Sequence, residues 1–245
     1  MSPQKDDLQN RQIEFSEDIS RVVSKALEEI NLKLSDSKKL AEAVLKLSDF
    51  YARAPAAGTP WPEKWAVAAY IAYYFPLNLI RSGAVVAEAN RYDFFKSTQN
   101  VIDFGSGLGS GSLPLLNKRF SSEPNSSFQF IEISEPAQRI HKIILDNQLS
   151  SRRQDNNFQW LTRAPQKIQI TEKTLGIFSY SLTELKSLPE WISSLDQLMI
   201  IEPSTREDGR NLMKLRAQLI EKGWRVVAPC THQGSCPLLS QSNTD

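Results

Sequence analysis

Val101 to Gly111 reads VIDFGSGLGSG, an apolar run that closes on an acid and is followed by a glycine at every second position. Asp103 at the tip of a buried strand, with Gly105, Gly107 and Gly109 behind it and Ser106 between them, lets the backbone turn sharply. It can then approach a nucleotide-like ligand where a Cβ would collide. The acid precedes the first glycine, which suits S-adenosylmethionine better than a dinucleotide. The methionine ammonium of that cofactor is a cation and needs a carboxylate or carbonyls near the strand end, whereas a pyrophosphate needs amides at a helix N-terminus. The alternative is a glycine-rich turn that holds no ligand.

Other chemistry-bearing residues recur at what should be strand ends. Glu132, in FIEIS, closes the next apolar run at the distance expected of an acid that takes both hydroxyls of a ribose. Ser181, Thr183 and Glu184 lie in IFSYSLTEL, where a strand turns into a helix, and Ser181 and Glu184 are candidates for positioning a substrate. Thr183 is equally a helix cap. The segment lacks the Asn/Asp-Pro-Pro-aromatic tetrapeptide with which many amino-group methylases hold an exocyclic nitrogen. Glu202, in IIEPSTREDG, is a third catalytic candidate or a cap for the helix that follows. Cys230, His232 and Cys236 share one turn-rich stretch, VVAPCTHQGSCPLL. Two thiolates and an imidazole suit a soft metal or an iron–sulfur site, although two cysteines are too few for a four-iron cluster. A nucleophilic Cys230 and two plain apolar side chains are the other readings. No general base is named.

The elements that must position these residues fall into two patterns. Before about Gln99 the apolar residues repeat at helical spacing, over 18 to 30, 38 to 52 and 63 to 95. PAAGTPWP, Pro55 to Pro62, interrupts them, and the third stretch is expected to kink or split at Pro76. From Asn100 onward, strands at 100 to 104, 128 to 133, 158 to 161, 175 to 181, 196 to 202 and 224 to 228 alternate with helices at about 110 to 119, 135 to 148, 183 to 194 and 208 to 222. The expectation is an α/β fold, a doubly wound Rossmann-like sheet of the class I methyltransferase kind with a helical N-terminal region. Residues 1–98 form that region, 99–229 the cofactor-binding domain and 230–245 a Cys-containing C-terminal segment.

The 245 residues carry 29 basic and 28 acidic side chains, so no global field draws in nucleic acid, and any RNA contact must be local. Arg53, Arg81, Arg91, Arg152, Arg153 and Arg163 are candidates for such a patch. MSPQKDDLQN lacks the apolar core of a signal peptide. The most apolar stretch, Ala66 to Ile80, is too short to span a bilayer. A soluble, cytoplasmic protein without a membrane partner is expected, and its oligomeric state is open. Two cysteines exclude a secreted disulfide framework.

Five blocks in this order, AAYIAYYFPLNLIRSGAVVAEA, VIDFGSGLG, SYSLTEL, LMIIEPST and VVAPCTHQGSCPL, resemble the ribosomal small-subunit methyltransferase-like family, which includes mitochondrial methyltransferase-like protein 17 and bacterial relatives. The glycine loop is common to many methyltransferases; the block order and the Cys-Pro ending are more specific. The likeness spans roughly Ala68 to Leu238. It implies S-adenosylmethionine binding at Asp103 to Gly109 and Glu132, and association with small-subunit ribosomal RNA or an assembling small subunit. It also implies a cysteine-ligated [4Fe-4S] cluster to which Cys230 and Cys236 correspond. Members of the family continue with further cysteines where this chain stops at Asp245, so truncation or loss of the cluster is expected. Some members are implied to be assembly factors without turnover, and methyltransferase activity on RNA and a non-catalytic assembly role both stay open.

Overall fold

The structure, a computed structural model, describes residues 17–54, 57–118, 126–148, 157–163, 172–182, 189–230 and 232–240. Its first helices follow the apolar spacing. α1 (Glu17–Glu28) buries Val22, Val23, Ala26 and Leu27, and α2 (Ser37–Arg53) buries Leu40, Ala43 and Leu47. Each set lies along one stripe of a 3.6-residue period.

The third helical stretch does not split at Pro76. α3 (Lys64–Ala69) runs into a π-helical turn, Tyr70–Tyr74, and then into α4 (Phe75–Asn90). The Phe75 amide reaches back to the Tyr70 carbonyl, and Pro76 falls in the first turn of α4, where its missing N–H costs little. The helix ends at Asn90, short of the expected Phe95, and turns replace it.

Five strands follow: β1 (Asn100–Phe104), β2 (Ser127–Ile131), β3 (Asn157–Leu161), β4 (Thr174–Ser179) and β5 (Gln197–Ile201). All pair in parallel in the order β3-β2-β1-β4-β5. Between them stand α5 (Leu113–Lys118) and α6 (Glu135–Gln148), and α7 (Arg206–Glu221) and α8 (Pro237–Ser240) follow β5. The fold is α/β, a Rossmann-like doubly wound sheet with a helical N-terminal region. The chain reverses direction across the sheet between β1 and β4, and a doubly wound sheet opens its ligand crevice at that point.

Alternation along the strands builds two cores. Val101, Phe128, Phe130, Leu175, Ile177, Met199 and Ile201 join one that includes α1 to α6, with α1 packed on α6. Ile102, Ile131 and Phe178 face the other way, onto Trp191, Ile192 and Leu195. Asp103 shares the parity of Val101 and so points into the larger core.

Three expectations are corrected. The sixth strand, 224 to 228, does not form. Both backbone groups of Val226 are taken by the side chain of Gln233, at 2.8 and 2.9 Å, which satisfies them without a neighbouring strand. The helix expected over 183 to 194 is, where described, a 3-10 turn over Glu190–Ser194 that begins after Pro189. Residues 183–188 lie outside the described residues. α5 starts at Leu113 rather than near 110, because the glycine loop continues as turns through Ser112.

Candidate cofactor-binding site

The glycine loop is pinned to the sheet before it turns. The amides of Gly105 and Ser106 both donate to the Ile131 carbonyl at the end of β2, at 2.8 and 3.1 Å, and the Gly109 amide donates to Ser106 O at 2.7 Å. Gly105, Gly107 and Gly109 have φ of +65°, +52° and +82°. All three lie in the left-handed region, where a Cβ is strained, so glycine is needed for conformation alone.

What a Cβ would meet separates the three. At Gly105 it would lie 2.7 Å from Ser181 Cβ, and at Gly109 it would fall into the His141 ring. These two glycines make room for the chain's own side chains rather than for a ligand, which corrects the expectation of a loop bared throughout. At Gly107 the nearest atoms are Trp61 Cζ2 at 3.6 Å and the Tyr70 hydroxyl at 3.8 Å. Only there does the loop turn toward residues outside the sheet layer.

Asp103 is 1 % exposed. Its Oδ2 accepts from Ser112 Oγ at 2.6 Å, and its Oδ1 is buried and makes no hydrogen bond. Burial raises the carboxyl to about 7; the Ser112 bond opposes this and the nearby charge of Glu132 adds to it. Glu132 follows β2 directly and is also buried. It accepts from the Gly107 amide at 2.9 Å and the Ser134 amide at 2.8 Å. Burial raises its pKa, and those amides work against the rise. The acid expected to hold a ribose thus already braces the glycine loop; with two acceptor oxygens it keeps lone pairs for a ligand as well.

Ser181 packs against Gly105 and Ser106 lies in the loop, each with a buried hydroxyl that makes no hydrogen bond. Glu202 accepts from the Leu182 amide at 3.0 Å and so ties the end of β5 to the segment after β4. Glu184 lies outside the described residues. Tyr180, which sequence reasoning passed over, has φ +57° and turns the chain between Ser179 and Ser181. Strain of this kind at a strand end accompanies ligand sites.

The residues at this edge fit S-adenosylmethionine. Two buried carboxylates have no cation beside them, one oxygen of Asp103 lacks a donor, and two buried hydroxyls lack partners. A ligand ammonium and hydroxyl groups would supply what is missing.

The cysteines do not fit a cluster. Cys230 and the buried Cys236 are free thiols, and among the described residues no group of three or more His, Cys, Asp or Glu side chains is placed to hold a metal ion. Arg216 on α7 holds this segment instead, donating to Gly234 O at 2.9 Å and His232 O at 2.5 Å. His141 was also passed over. It is fully buried on α6, edge-on to Phe130 with centroids 4.5 Å apart, and both ring nitrogens lack partners. Its signal was a lone histidine on the apolar stripe of Ala137, Ile140 and Ile144.

Among the described residues no helix is long and apolar enough to cross a membrane. Comparison with curated proteins gives no match. The family model described as mitochondrial small ribosomal subunit Rsm22 matches residues 64–245, from the start of α3 onward, and the chain belongs to that family.

Proposed function

We propose that this protein binds S-adenosylmethionine at the β1–β4 switch and works as a methyltransferase-like component on or with the small ribosomal subunit, contacting its RNA during assembly. The observation that carries the cofactor reading is the unpartnered, buried Oδ1 of Asp103. The family's name supports the ribosomal part. That name is also mitochondrial, so the cytoplasmic location expected from the N-terminal residues is not carried into this reading.

Bound there, the cofactor supplies an electrophilic sulfonium methyl. The chain's own part is positioning. Asp103 takes the ammonium, Ser112 fixes that carboxylate, Glu132 takes the ribose hydroxyls while holding Gly107, and Ser106 and Ser181 supply further polar groups. Ser181 and Glu202 stand at the carboxyl ends of β4 and β5, where a nucleophile would be aligned for in-line transfer.

The non-catalytic reading is favoured by one observation. Glu202, the described candidate acid nearest the presumed nucleophile, has its carboxylate engaged with the Leu182 amide and no resolved shift toward the range of a general base. In that reading the cofactor stabilises the fold by mass action and no methyl moves. Incubating the protein with methyl-labelled cofactor and isolated small subunits separates the two. Label in small-subunit RNA, absent with large subunits, supports the enzyme; retention on the small subunit without label supports the assembly factor. Retention on neither subunit overturns the ribosomal reading.

A further inference from the structure

The helical N-terminal region reaches the glycine loop through aromatic rings, and neither the fold nor the family requires this. Trp61, on the loop between α2 and α3, and Tyr70, the first residue of the π-helical turn, are the side chains nearest to where a Gly107 Cβ would stand. Their centroids are 4.7 Å apart. Tyr70 stacks on Tyr74 at 5.8 Å, and Tyr74 meets Tyr51 of α2 edge-on at 5.5 Å. Tyr51 in turn shares a 2.7 Å hydrogen bond with Thr59, two residues before Trp61.

The π-helical turn accounts for the alignment. A wider turn brings residues four apart nearly onto one face, so Tyr70 and Tyr74 stack where an α-helix would rotate them apart. The ladder is therefore braced at both ends, and Trp61 is held nearly buried.

A negative ring face beside two buried, cation-free carboxylates has a chemical meaning. Aromatic faces attract cations, and do so more strongly when the cation is desolvated. We propose that Trp61 and Tyr70 form an aromatic wall at the Gly107 end of the site that selects a positively charged sulfonium ligand over its neutral thioether counterpart. The wall makes the N-terminal helices part of the site. The inference rests on the cofactor reading above and adds to it the residues that read the ligand's charge.

S-adenosylmethionine and S-adenosylhomocysteine share the ammonium, ribose and adenine and differ in the sulfonium methyl and its charge. Calorimetry with both on the wild-type chain, Trp61→Leu, Trp61→Phe and Tyr70→Leu reads the wall directly. Trp61→Leu and Tyr70→Leu should each weaken the sulfonium ligand about tenfold and the thioether by about twofold or less, while Trp61→Phe keeps most of the preference. Equal losses for the two ligands, or no loss, would overturn the wall and leave the cofactor reading standing. A wild-type protein that binds neither ligand overturns both. If Trp61→Leu does not fold, the comparison of Tyr70→Leu with Trp61→Phe carries the same test.

Discussion

Ser112 donates to one oxygen of Asp103 at 2.6 Å, while the other oxygen, equally buried, meets no donor. The side chain is held but only half satisfied, and buried polar atoms without partners are uncommon unless a site awaits a ligand. Ser112→Ala should therefore act on Asp103 before it acts on the fold. Its neighbours are loop rather than core, so the expected stability loss is about 1 kcal/mol, with a larger fractional loss of cofactor affinity. Chemical denaturation and calorimetry on the same preparation check both.

Asp103 and His141 give opposite pH dependences. The Asp103 carboxyl is raised to about 7 in the folded chain, so it favours folding at low pH and that advantage is lost as pH rises from about 4 through about 7. His141 is lowered to about 3 by burial, so folding is favoured above the unfolded value near 6.5 and loses stability as pH falls from there toward 3. Between about pH 4 and 6.5 the two slopes oppose each other, each at up to about 1.4 kcal/mol per pH unit. Removing one exposes the other: Asp103→Asn should gain stability with rising pH across that window relative to wild type, and His141→Phe should lose it. Urea melts at pH 4.5 and 6.5 measure the two signs, and parallel curves for all three proteins would contradict both assignments.

Gly109 and Gly107 should respond differently to the same methyl group. Gly109→Ala drives a Cβ into the His141 ring in addition to the φ strain, for a cost of about 2 kcal/mol or more. Gly107→Ala meets only ordinary contacts with Trp61 and Tyr70, so the strain alone remains, about 1 kcal/mol. A double-mutant cycle of Gly109→Ala with His141→Ala should recover part of the larger loss, and additivity would mean that the ring is not what the methyl meets.

Arg216 anchors the segment that carries the thiols. Arg216→Met removes two donors from the His232 and Gly234 carbonyls, which should cost about 1–3 kcal/mol and loosen the segment. The buried Cys236 should then be alkylated several-fold faster while Cys230, already partly exposed, changes little. Mass spectrometry of partially labelled protein distinguishes the two sites.

Glycines 105, 107 and 109 announced a left-handed loop because no other residue tolerates three such conformations, and the apolar runs around Asp103 and Glu132 announced the strands beneath. The N-terminal helices were legible for the same local reason. What escaped the sequence depended on partners distant along the chain. Val226 reads as a strand residue until Gln233 takes its backbone groups. Gly109 reads as a ligand-facing glycine until His141, 32 positions on, arrives beneath it. Trp61 sits in a Pro-rich loop with no periodicity to place it, and only the π-helical turn brings Tyr70 to its side.

The central claim is that Asp103 receives a cofactor's cation. Calorimetry of the wild-type chain and Asp103→Asn with S-adenosylmethionine, at pH 6 and pH 8, tests it most directly. The wild type should bind more tightly at pH 8 and take up the ligand at pH 6 with release of a proton, since the carboxyl must ionise to pair with the ammonium. Asp103→Asn should bind at least about tenfold more weakly and lose the pH dependence. No heat from a folded wild-type protein at millimolar cofactor, or equal affinity in wild type and variant at both pH values, would contradict the account.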